Sequence, residues 1–190
     1  MSTLIHSRRG QTLVEALVAL SILTVGFVGI VTLLTKSFQL NRTTTDDTQA
    51  TYLAAEGIEV AKSIIDYDVY SAFATDPNNI GWGCSFGLTP GAPPTDFALA
   101  YDTNPGLCPA EPQTVAQVGD KLYFDSNADA GAGFYTYNNF YTSTDFTRDV
   151  YLSTPLNSPN EIDVRSVVTW TNGPLSNTIT LQDSLYNWHP

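Results

Sequence analysis

Arg8-Arg9-Gly10-Gln11-Thr12-Leu13-Val14-Glu15 joins a short basic leader to an apolar run, with one carboxylate near the start of that run. From Ala16 to Leu34 no further charged residue occurs. A stretch of that length spans the hydrocarbon core of a bilayer as a helix of about 20 residues. An ionised carboxylate inside such a helix costs about 2.5–3.5 kcal/mol at the centre, less toward the end, and so implies a partner. Glu15 is the residue that any reading of the segment has to explain.

Gly10-Gln11-Thr12-Leu13-Val14-Glu15 resembles the class III signal of type IV prepilins, usually Gly-Phe-Thr-Leu-Ile-Glu, and the continuation from Ala16 to Gly29 is similar in particular to PilV-like minor pilins. The resemblance implies that a prepilin peptidase in the membrane cuts between Gly10 and Gln11. Residues 1–10 would leave as the leader, and Gln11, which stands where the family usually has Phe, would be the N-methylated new N-terminus. The freed amine of Gln11 would then pair with Glu15, one turn away in the same helix or across to a neighbouring subunit, where it sets axial register. Removing one member of a buried ion pair costs about 3–5 kcal/mol. Implied partners are the prepilin peptidase, other pilin subunits and the inner-membrane assembly platform. The implied location is the cytoplasmic (inner) membrane, single-pass, before assembly, and a pilus (fimbrium) at the cell surface after it.

Other readings of the N-terminus explain less. A secretory signal peptide has an apolar core of about 7–15 residues followed by a small-residue cleavage site; this run is longer, and Leu33-Leu34-Thr35-Lys36 offers no such site. Ser7-Arg8-Arg9 partly matches a twin-arginine signal, but Glu15 and the missing downstream site argue against it. A plain transmembrane anchor leaves Glu15 as an accident.

The formal charge of −11 becomes two units more negative once Arg8 and Arg9 leave with the leader. So acidic a surface is a poor partner for DNA or anionic lipid, and no direct nucleic-acid contact is expected. The two cysteines, Cys84 and Cys108, lie in a Gly- and Pro-rich stretch. Outside the cytoplasm they favour a disulfide, which the chain-entropy account values at about 3 kcal/mol. Two free thiols are the alternative.

Past the apolar run, Ala50, Leu53, Ala54, Gly57, Ile58, Ala61, Ile64 and Ile65 recur at steps of three and four, the pattern of one apolar helical face. Glu56, Glu59, Lys62 and Asp66 are read as lying away from that face. The helix is expected over 11–67, with 11–35 as membrane or filament-core anchor and 36–67 as an amphipathic half; the polar stretch Asn41–Thr48 holds no Pro or Gly that would end it. Residues 68–120 read as an irregular loop region and 121–190 as an antiparallel sheet. Strands are expected at Lys121–Phe124, Gly133–Tyr137, Phe146–Leu152, Ile162–Trp170 and Thr178–Leu181, from their alternation and their β-branched and aromatic content. The fold class is α+β, a long helix packed by its second half on the sheet.

Residues that could carry chemistry are few. Gly83-Cys84-Ser85-Phe86-Gly87 fits G-x-S-x-G, but a nucleophile elbow needs a strand before it and a helix after it, and the two histidines, His6 and His189, lie in the leader and next to the C-terminus. No enzyme is expected. Asp125, Asn127 and Asp129 place oxygen ligands at alternate positions, like the first half of a calcium loop. The glycine comes one place late, at Gly131, and Thr136 stands where a bidentate Glu would be; a polar hairpin connection explains the stretch as well. No cofactor is expected, calcium being the one metal the loop could take. Tyr101, Tyr123, Tyr135, Tyr137, Tyr141, Tyr151, Trp82, Trp170 and Trp188 could form a surface- or sugar-binding platform, although aromatics alternating along strands usually pack on the sheet. Three functions are therefore carried forward: a minor pilin subunit, a pseudopilin of a type II secretion system, and a membrane-anchored adhesion module.

Overall fold

A computed structural model describes residues 11–75, 81–104, 119–126, 133–173 and 175–188. One helix, α1, runs from Gln11 to Thr75. The chain divides into two compact units, Met1–Thr45 and Asp46–Pro190, and α1 contributes to both.

In the first unit every described side chain from Thr12 to Thr45 is exposed. Leu13, Leu17, Leu23, Phe27 and Leu33 are all more than half exposed, and the helix is long and apolar enough to cross a membrane. Its hydroxyls do not oppose this. Ser21 Oγ donates to the Leu17 carbonyl at 2.7 Å, and the Thr32 and Thr35 hydroxyls donate to the carbonyls of Val28 and Val31 at 2.9 and 3.0 Å. Donors satisfied one turn back present no unpaired polar group to an apolar surrounding. The same back-bonding at Thr43, Thr44 and Thr45 carries the helix through the polar stretch.

In the second unit, all eight residues of the expected apolar face are buried. They pack on a sheet formed by β1 (Thr95–Phe97), β2 (Lys121–Phe124), β3 (Tyr135–Thr136), β4 (Thr142–Ser153), β5 (Glu161–Asn172) and β6 (Leu175–Tyr186). The strand order is β3-β2-β4-β5-β6, β1 pairs with β4, and every pairing is antiparallel. The β5–β6 hairpin pairs Asn172 with Leu175, and Gly173 enters its turn at a φ of 63°, which favours glycine.

The core has two parts. Ile58, Ala61, Ile64 and Ile65 meet Phe86, Leu99, Val150, Leu152, Ile162 and Val164 in one cluster, while Ala50, Leu53 and Ala54 meet Leu122, Phe146, Val168 and Trp170 in the other. Each fully buried Leu, Ile or Val contributes about 1.5–3 kcal/mol. Gly57, Arg148 and Ser166 sit between the clusters: a Cβ on Gly57 would stand 2.6 Å from Ser166 Oγ and 3.1 Å from Arg148 Cδ. Close approach of helix to sheet at this point therefore requires glycine.

Two expectations are corrected. Helix α1 ends at Thr75, not at 67, because Asp68 and Ala72 continue its buried face past Ile65. Asp68 is fully buried and accepts hydrogen bonds from the backbone N–H of Ser85 at 3.0 Å and from the Ser85 hydroxyl. The region 68–120 is also less irregular than read, since it contains the end of α1, a 3-10 turn at Cys84–Phe86 and strand β1.

Candidate functional site

The residues with expected roles fall in both units. Gly10 and the rest of the leader lie outside the described residues, and α1 begins at Gln11. Glu15 lies one turn further on with its side chain exposed. Among the described residues it makes no ion pair. Its surroundings, Leu13, Val14, Leu17 and Val18, are exposed apolar side chains, so the first unit offers an apolar rod with one carboxylate near its start.

Cys84 opens the 3-10 turn, flanked by Gly83 and Gly87 at φ 63° and 59°. No free cysteine occurs among the described residues; Cys108 lies outside them, as do Asn127 and Asp129 of the candidate calcium loop. Asp125 is buried, and its backbone closes the β2–β3 connection: its N–H donates to the Phe134 carbonyl at 3.0 Å, and its carbonyl accepts from Gly133 N–H at 2.7 Å. Thr136 is buried and donates to Asp102 at 2.8 Å. Among the described residues no group of three His, Cys, Asp or Glu could hold a metal. Ser85 sits in a 3-10 turn, not in a strand-to-helix elbow, and its hydroxyl is committed to Asp68. Burial pushes the Asp68 carboxyl above the usual carboxylate range, against the lowering effect of the Ser85 hydrogen bonds.

Glu56, expected away from the apolar face, turns toward the sheet. Its Oε1 lies 3.4 Å from Nη1 of Arg148, which is fully buried. Arg148 also donates to the carbonyls of Leu53 at 2.9 Å and Leu99 at 2.6 Å, while its own carbonyl accepts from the Tyr137 hydroxyl at 2.7 Å. The guanidinium thus joins α1 to the segment after β1, and the backbone carbonyl of the same residue holds Tyr137, just past β3. Burial pushes the Tyr137 phenol up, opposed by Arg148. Period-two alternation was the available signal: Arg148 has the same parity as Phe146, Val150 and Leu152, all buried.

The aromatics divide between core and surface. Trp170 is buried against Phe146, with ring centroids 6.0 Å apart, whereas Trp188 is 80 % exposed. Tyr151 faces the outer side of the sheet beneath the guanidinium of Arg165, 4.6 Å from the ring centre.

With an exposed apolar helix continuous with a helix that lines a folded head, the comparison that bears on the N-terminus is decisive: residues 5–31 match the family model of the prokaryotic N-terminal methylation motif. The chain carries a prokaryotic N-terminal methylation motif. No curated protein and no solved structure matches the chain. The methylation motif spans the expected cleavage position and Glu15, and the candidate membrane span overlaps it. Such a motif points to a pilin-type precursor, either of a type IV pilus or of a related pseudopilin system, anchored in the membrane before assembly.

Proposed function

We propose that this chain is a structural subunit, of minor type, of a type IV pilus or related filament. The prepilin peptidase cuts it after Gly10, its new N-terminus Gln11 is methylated, and it joins other pilins at the inner-membrane platform by packing helix on helix. Glu15 receives the amine of Gln11, its own or a neighbour's, and so fixes axial register. Cys84 and Cys108 close the loop ahead of β2 as a disulfide. One observation carries this reading: the methylation motif continues into a helix whose residues 12–45 are exposed while its later turns are buried by the sheet. An apolar rod exposed to water is unfavourable by about 25 cal/mol per Å², so the rod belongs in a bilayer first and among other rods afterwards.

The same observation supports a pseudopilin of a type II secretion system, and the two differ in which machinery takes up the subunit. The test is co-expression with prepilin peptidase and each assembly system in turn, with purified filaments probed for this chain. Wild type should enter pilus filaments. Gly10→Arg should remain uncut, and Glu15→Ala should be cut but left in the membrane. Normal incorporation of Glu15→Ala would refute the registering role, and entry only into secretion pseudopili would replace the pilus reading.

A further inference from the structure

The outer side of the β4–β5–β6 meander carries a cleft of about 590 Å³, within the range of about 300–1,000 Å³ usual for small-ligand sites. Strand register builds it in two rows. Tyr151, Arg165 and Gln182 are consecutive partners across the three strands, and Ser153, Asp163 and Ser184 form the next row. Neighbouring strands stand about 4.8 Å apart, and same-face residues along a strand about 6.8 Å apart, so polar groups of two rows surround an area close to that of one pyranose ring.

Arg165, Asp163 and Tyr186 are held in place from within the head. Arg165 lies over the ring of Tyr151, and among the described residues it has no carboxylate partner, which leaves its N–H donors available. Ser184 Oγ donates to Asp163 Oδ1 at 2.6 Å, leaving the second carboxylate oxygen as an acceptor. Tyr186, at the rim, is 61 % exposed, and its hydroxyl donates to Glu161 at 2.8 Å, which fixes a flat aromatic face beside the polar rows.

The lining selects among ligand classes. Asp163 in the cleft and Glu161 beside Tyr186 at its rim outnumber the single cation Arg165, and the chain has a formal charge of −11, which opposes phosphate, sulfate or carboxylate ligands. Among the described residues no set of three ligating groups could take a metal. A wholly apolar ligand would leave the carboxylates and the guanidinium without partners at a cost. Hydroxyl groups both donate and accept, and a sugar ring also offers a C–H face to an aromatic plane. From these placements we infer that the Tyr151–Arg165–Gln182 cleft of the head binds a neutral carbohydrate, with Arg165, Gln182 and Asp163 reading its hydroxyls and Tyr186 supporting its ring.

This binding is separate from filament assembly and is measured without it. The full chain, solubilised in a detergent without a sugar headgroup, is applied to immobilised neutral oligosaccharides ending in glucose, galactose, mannose or N-acetylhexosamines, with sialylated and sulfated glycans alongside. At least one neutral glycan should bind. Tyr186→Ala and Gln182→Ala, both exposed positions, should each weaken that binding about tenfold, while Thr178→Ala, on the same sheet face outside the cleft, should leave it unchanged. Near-UV circular dichroism of each variant reports that the head is folded. Absence of binding to every neutral glycan, equal binding by the folded Tyr186→Ala and Gln182→Ala variants, or preference for the anionic glycans would overturn the proposal.

Discussion

The guanidinium of Arg148 and the carboxylate of Glu56 face each other across the helix–sheet contact at 3.4 Å, with the arginine side chain wholly buried and the glutamate about a quarter exposed. A buried charge without its partners is costly, and Arg148 holds the Leu53 and Leu99 carbonyls as well. Arg148→Ala should therefore destabilise the head by about 3–5 kcal/mol. Glu56→Gln, which leaves the wholly buried guanidinium without its counter-charge, should also cost about 3 kcal/mol. Denaturant unfolding of the full chain in micelles, followed by tryptophan fluorescence, reads both; a negligible effect of Glu56→Gln would show that the buried guanidinium does not depend on the carboxylate.

Gly57 predicts a contact of the opposite kind. Alanine raises helix propensity by about 1 kcal/mol over glycine, but here its Cβ would meet Ser166 Oγ at 2.6 Å and Arg148 Cδ and Val150 Cγ2 at 3.1 Å. Overpacking of about 1–3 kcal/mol should win, so Gly57→Ala lowers stability. Among the described residues Ser166 Oγ has no hydrogen-bond partner, so Gly57→Ala with Ser166→Ala should regain part of the loss. Additive effects in that double variant would contradict the close approach.

The helix face, the antiparallel strands and the N-terminal motif were legible because each rests on local periodicity or on contiguous residues. Ala50 to Ile65 announce their burial by spacing alone. Arg148 is legible by parity, although its charge alone suggests exposure. Its pairing with Glu56 was not legible, since β4 lies far from α1 in the chain and nothing local specifies which helix residue it meets. The last turns of α1 escaped because Asp68 and Ser85, both polar, hold them. Strand β1 escaped because three residues carry no period. Of the outer-face cleft, the individual residues could be read but not the register that aligns Tyr151, Arg165 and Gln182.

Asp68 makes stability depend on pH. Its carboxyl is raised above the ordinary value of 3.8, chiefly by burial, so in the window just above 3.8 the folded head binds more protons there than the unfolded chain. Stability contributed by this group is greatest below that window and falls as pH rises through the folded value. Asp68→Asn should remove that component, so the difference in stability between wild type and variant should shift in the variant's favour as pH rises from below 3.8 through the raised value. A difference independent of pH would show that the carboxyl is not raised.

The proposed Cys84–Cys108 bridge gives a fourth stability test. Cys84→Ser with Cys108→Ser should cost about 3 kcal/mol, and reductant should reproduce that cost in wild type while leaving the double variant unchanged. If reductant has no effect on wild-type unfolding, the bridge is absent or carries no stability.

Processing at Gly10 is the step on which the filament reading depends, because only a chain cut there has an amine beside Glu15 on a retained apolar helix. Mass spectrometry of the N-terminal peptide, from membranes of cells that express the chain together with prepilin peptidase, measures it directly. The peptide should begin at Gln11 and carry one added methyl group on its amine. A chain that still begins at Met1, or that begins beyond Leu34, contradicts the account.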